Sequence, residues 1–113
     1  MEAFELFNQK NDLEKRLTSS VRMMAKYGRE YAQAEHDYKI ALAETALRLR
    51  ADGMAVTMIQ TVIYGTGEVP ALRLKRNIAE VMYKSAQESI QSVKLQLRLT
   101  EAQIEREWGQ ARR

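Results

Sequence analysis

The sequence predicts an all-α protein: a long, coiled-coil-like antiparallel helical hairpin with a short helix or loop between its two helices, assembling into an oligomeric bundle. Three observations point there. A single proline and five glycines, four of them at 53, 65, 67 and 109, leave two long stretches almost free of helix breakers. Apolar residues then recur at helical spacing along both stretches. Finally, the second stretch is apolar on two sides, which one partner helix cannot cover.

The first helix is expected over about 11–51. Leu17, Met24, Tyr31, Tyr38 and Thr45 recur every seven residues, and Val21, Gly28, Glu35, Leu42 and Leu49 give a second register of the seam. Asn11 followed by Glu14 has the spacing of a capping box, so the helix can start there; residues 1–10 either extend it or form a separate turn. Asp52-Gly53 supplies the stop, because glycine tolerates the left-handed conformation that closes many helices.

The connector spans 52–68. Val56, Thr57, Ile59, Thr61, Val62 and Ile63 are all β-branched, which weakens a helix, so the segment is either extended or a short helix capped by Thr57 and running to Tyr64. The short helix is preferred, with Gly65-Thr66-Gly67 as the loop after it.

The second helix is expected over about 69–108, completing a single domain over 1–113. Pro70 falls in its first turn, where a missing N–H costs nothing. One seam reads Ala79, Tyr83, Ala86, Ile90, Val93, Leu97, Thr100 and Ile104. A second reads Leu74, Ile78, Val81, Ser85, Ser92, Leu95, Leu99 and Ala102. The two-residue offset from Leu97 to Leu99 is about 200° at ~100° per residue, so the seams lie on opposite sides. A connector helix of about eight residues reaches only ~12 Å along a helix of roughly 60 Å. Leu74, Ile78, Val81, Leu95 and Leu99 are therefore expected to form an interface between copies.

The C-terminal half carries a resemblance. Met82-Tyr83-Lys84-Ser85-Ala86, Val93-Lys94-Leu95-Gln96-Leu97-Arg98-Leu99 and Glu101-Ala102-Gln103-Ile104-Glu105-Arg106-Glu107-Trp108 resemble an uncharacterised family of small helical proteins from phages and prophages of Gram-positive bacteria. Ala55-Val56-Thr57, within Gly53 to Gly67, resembles that family's middle segment, whereas the first helix matches only in being helical. The family has no assigned activity; its members look like early-region genes near replication, recombination or counter-defence functions. The resemblance implies a phage origin and action in the cytoplasm of the infected bacterium, and carries over no site residues.

Chemistry is sparse. The absence of cysteine removes disulfides, thiolate metal sites and cysteine nucleophiles, and fits a reducing cytoplasm. The N-terminal Met1-Glu2-Ala3-Phe4-Glu5-Leu6-Phe7 does not read as a secretory signal, and Gly53 to Gly67 is too short and polar to cross a bilayer. The single histidine, His36, lies between Glu35 and Asp37, but consecutive helical side chains diverge by ~100° and do not converge on one ion, so neither metal nor cofactor is expected. No serine sits in a nucleophile-elbow context, so no catalytic residue is assigned.

Binding is the better expectation. Gly65-Thr66-Gly67 precedes a helix and lacks the length and lysine of a P-loop; it reads first as a flexible connector, and second as part of an anion or nucleotide site with Tyr64, Arg73, Arg76 and Tyr83. Lys15, Arg22, Lys26 and Arg29 share one face of the first helix, diluted by Glu14 and Glu30, and read first as a solvated basic face. With a net charge of only +3, nucleic acid is not the favoured partner. A helix-turn-helix over Leu47 to Arg76 has poor spacing. Trp108 is expected to anchor the chain end against Phe4, Phe7 or Leu13. Three functions remain: an oligomeric module that inhibits or recruits a host or phage protein; a counter-defence sponge that holds a nucleotide-derived signal between subunits; and, more weakly, an accessory of phage DNA replication or recombination.

Overall fold

In the computed structural model, which describes residues 2–111, the order is α1 (Ala3–Ala51), α2 (Val56–Val62), a 3-10 turn (Ile63–Gly65) and α3 (Val69–Ala111). All secondary structure among the described residues is helical.

Helix α1 starts well before Asn11. The Leu6 N–H donates to the Glu2 carbonyl at 3.2 Å, and Asn11 and Glu14 both lie inside the helix. No breaker intervenes between Ala3 and Asn11, and the fully buried Leu6 ties the first turns to the core, so the capping-box spacing is passed over. The other end behaves as read. Gly53, at φ +92°, donates to the Arg50 carbonyl and Met54 to that of Leu49, the paired bonds of a Schellman closure.

Helix α2 forms despite its β-branched run because one face is buried: Ile59 and Ile63, four residues apart, are both core residues. Ala55, rather than Thr57, stands at its N-cap, and the Ala55 carbonyl accepts from the N–H groups of Met58 and Ile59. Thr57 lies within the helix, where its carbonyl accepts the Thr61 hydroxyl at 3.1 Å. The Thr66 hydroxyl donates to the Val62 carbonyl at 2.7 Å, closing the segment. Gly65 ends the 3-10 turn, and Gly67, at φ +55°, turns the chain into α3.

The chain divides into two compact units, each pairing part of α1 with part of α3. In the first, α1 up to Ala25 packs with α3 from Lys84 onward. Leu13, Val93 and Leu97 form its core cluster, with Leu17 packed against it. Phe7 meets Trp108 edge to face at 6.5 Å, so Phe7 is the anchor for Trp108, while Phe4 stays 73% exposed. Low numbers on α1 meet high numbers on α3: the pairing in this unit is antiparallel.

The second unit spans Lys26–Tyr83. Tyr83 lies on α1 against Tyr31, ring centroids 6.1 Å apart. Gly28 makes room for it, because a Cβ there would sit 3.1 Å from the Tyr83 ring. Further along, Arg76 meets Glu35 and Tyr38, so here too the two helices run antiparallel.

The α1 seam differs in one register from the sequence expectation. Tyr38 and Thr45 are buried as read, but their companions are Ala34 and Ala41, whereas Val21 is exposed. Gly28, Glu35, Leu42 and Leu49 of that register are half-buried, and Gly28 and Glu35 meet Tyr83 and Arg76 of α3.

On α3, Ala86, Ile90, Val93, Leu97 and Ile104 of the first seam are buried. Truncating Leu97 to Ala should therefore cost about 2–4 kcal/mol in denaturant unfolding. Truncating Leu99, two residues on and exposed, should cost less than about 0.5 kcal/mol at dilutions where the chain is alone.

Candidate functional site

Three features of the surface carry chemistry. In the second unit, α1 and α2 enclose an open groove of about 500 Å³. Leu42, Ala43, Ala46, Leu47, Val56, Ile59, Ile63 and Tyr64 make it apolar, and Lys39, Arg50 and Gln60 complete the lining. No carboxylate is among these residues. Of the lining residues, Ile59 of α2 and Ile63 of the 3-10 turn are buried, while Val56 and Tyr64 are about half-exposed.

The second feature is a charged seam in the same unit. Glu35 is flanked by Lys39 at 3.3 Å and Arg76 at 3.7 Å. Hydrogen bonds from Lys39 first, and from the Tyr31 hydroxyl second, hold the Glu35 carboxyl below its ordinary value, against the opposing effect of partial burial. The same bond to Glu35 pushes the Tyr31 phenol above its ordinary value, with burial and the charges of Glu35 and Glu80 adding to it. The Arg76 guanidinium also lies over the Tyr38 ring at 4.9 Å, and its enclosed Nε–H has no acceptor. A ring face attracts the cation but satisfies no in-plane donor, which explains that unmet group.

The third feature is the far flank of α3. Leu74, Ile78 and Val81 in the second unit, and Leu95 and Leu99 in the first, are each 51–62% exposed. Against a buried seam on the same helix, this is the largest set of uncovered aliphatic side chains on any one element.

The residues singled out for ligand binding are brought together only in part. Tyr64 and Arg73 stack, guanidinium to ring centroid 4.8 Å. Arg76 and Tyr83 instead serve the helix seam, with Glu35 and Tyr38 in one case and Tyr31 in the other. Gly65 and Gly67 are exposed, and the Thr66 hydroxyl is taken by Val62. Arg73 is thus engaged by Tyr64, and Arg76 by Glu35 and Tyr38. Lys15 and Arg22 in the first unit and Lys26 and Arg29 in the second are all exposed, with the Lys26 ammonium 6.0 Å from the Tyr27 ring. Among the described residues no three His, Asp or Glu side chains gather as metal ligands, and no helix is long and apolar enough to cross a membrane.

Of the groove's lining, the sequence reading singles out Tyr64 as a ligand-binding residue. Leu42 belongs to the second register of the α1 seam, and Ala46 and Leu47 are apolar positions outside both registers. No family model, curated protein or solved structure matches the chain.

The Glu35 cluster has a definite acid signature. A carboxylate with a depressed folded-state pKa adds stability above its ordinary value of 4.5, and that contribution disappears as pH falls through the lower folded-state value. The stability gap between the native chain and Glu35→Gln, measured by urea unfolding, should be present at neutral pH and shrink as pH falls below 4.5.

Proposed function

We propose that the protein is a non-catalytic binding protein that self-associates through the far flank of α3 and, as an oligomer, engages a host or phage protein through its α1–α2 groove. The observation that carries this reading is the α3 flank. Five large aliphatic side chains on one helix stand mostly in solvent although the opposite seam of that helix is packed. Exposed apolar sets of this kind mark interaction surfaces, and a second copy supplies a matching one.

The groove supports the second half of the reading. Its lining is apolar with Lys39 and Arg50 as the only charges, which suits an amphipathic segment bearing carboxylates beside its apolar anchors. The resemblance to the phage family supports a setting inside an infected bacterium. One observation favours the sponge as a second reading: Tyr64, at the groove edge, stacks on Arg73, the aromatic-plus-guanidinium pair that a nucleotide would meet.

Native mass spectrometry of freshly purified protein should show an oligomer. The double substitution Ile78→Glu and Leu95→Glu should convert it to monomer at least tenfold more readily on dilution, with helicity by circular dichroism unchanged. A native chain that is monomeric throughout the micromolar range overturns the reading. A retained nucleotide adduct would shift the function to the sponge.

A further inference from the structure

We infer that the occupant of the α1–α2 groove is a short amphipathic helix of a different protein, lying along α1 for about three turns and setting a carboxylate against Arg50. This rests on the groove reading proposed above and specifies the partner's form and charge.

The shape of the trough points to a helix. Its α1 wall is built by Lys39, Leu42, Ala43, Ala46, Leu47 and Arg50, at spacings of 3, 1, 3, 1 and 3. The facing wall is Val56, Ile59, Gln60, Ile63 and Tyr64, at spacings of 3, 1, 3 and 1. Both rows keep the i, i+3, i+4, i+7 spacing of a helix face, and the channel between two such ridged walls seats a third helix. From Lys39 to Arg50 it runs roughly 16 Å at 1.5 Å per residue, which suits apolar anchors at i, i+4 and i+7 of the bound helix. An extended peptide gains less, because both walls are helical and offer no strand edge for main-chain hydrogen bonds. An acyl chain is apolar all round, so an open trough leaves one side of it in water. An amphipathic helix keeps its polar side there.

Charge selects the partner. Lys39 and Arg50 stand at the two ends of the α1 wall, and Lys39 is already answered by Glu35 at 3.3 Å. Arg50 is exposed and, among the described residues, forms no ion pair. The unmatched positive charge therefore lies at the Arg50 end. A second copy of this chain matches it poorly. Its exposed Leu74 and Ile78 travel with Arg73, Lys75 and Arg76, and its exposed Leu95 and Leu99 with Lys94 and Arg98. Setting those cations beside Arg50 is unfavourable, so the occupant is acidic where this chain's own exposed helix is basic.

The test selects a yeast-displayed library of random peptides of about 15 residues, long enough to hold a helix, on the full-length protein. Enriched peptides should carry apolar residues at i, i+4 and i+7 with Asp or Glu beside them, and should turn helical on binding by circular dichroism. Leu47 is 71% exposed and Val56 48%, so Leu47→Glu and Val56→Glu should keep native helicity while each weakens binding about tenfold or more. Arg50→Glu should weaken it about fivefold, and exchanging the peptide's acid for lysine should restore it. Peptides sensitive to Leu47→Glu that are basic, that stay non-helical when bound, or that ignore Arg50→Glu overturn the inference and leave the groove reading standing. No enrichment, or binding indifferent to both groove substitutions, overturns both. Two results would give the groove to another occupant and overturn the inference as well. One is binding of cis-parinaric acid that Leu47→Glu abolishes and no enriched peptide displaces; the other is an oligomer in native mass spectrometry that Leu47→Glu dissociates.

Discussion

A helix that is apolar on two opposed flanks needs two partners, and the chain folds only one of them against it. The rest of the structure follows from that imbalance. In each unit, α1 takes the seam of α3 that contains Ile90, Val93 and Leu97 or, nearer the connector, Tyr83. With Leu97 buried and Leu99 exposed only two residues away, helical geometry itself keeps both from being covered by the same neighbour. At about 25 cal/mol per Å² of apolar surface, five half-covered aliphatic side chains are a substantial reservoir of unrealised burial.

The α1 side of the packing is built differently in the two units. The first uses interdigitated aliphatic side chains, Leu13 and Leu17 on Val93 and Leu97, closed by the Phe7–Trp108 contact. The second uses alanines, tyrosines and an ion cluster. Ala34 and Ala41 are buried, Gly28 seats the Tyr83 ring, and Glu35 collects Lys39, Arg76 and Tyr31. Such a cluster adds little to stability, because its members are partly solvated, but it is directional. A slip of one turn would leave the Arg76 guanidinium without either Glu35 or the Tyr38 ring.

Much of the backbone was legible because its signals are local. The glycine stop at 53, the proline entry at 70 and the buried seam of α3 all rest on periodicity or on a single residue's conformational freedom. What was not legible depended on competition. Asn11 and Glu14 have cap chemistry, yet continued burial at Leu6 outweighs a local cap. Site residues fared the same way: the sequence shows that Arg73 and Arg76 are near in number, but not that Tyr64 takes one and Glu35 the other. The groove needed knowledge of how α2 leans on α1, which no spacing along either helix contains.

Within the second unit the two surfaces that suit binding are separated by element. The groove is lined by α1, α2 and the 3-10 turn and by no residue of α3, whereas Leu74, Ile78 and Val81 all belong to α3. A copy packed on the α3 flank therefore takes none of the groove's lining. The two surfaces also differ in chemistry. The flank is a row of exposed aliphatic side chains on one helix, whereas the groove is apolar with Lys39, Arg50 and Gln60 in its lining. The two surfaces thus share no residue. An oligomer would present several grooves at once, and multivalent engagement raises the effective concentration for each further contact.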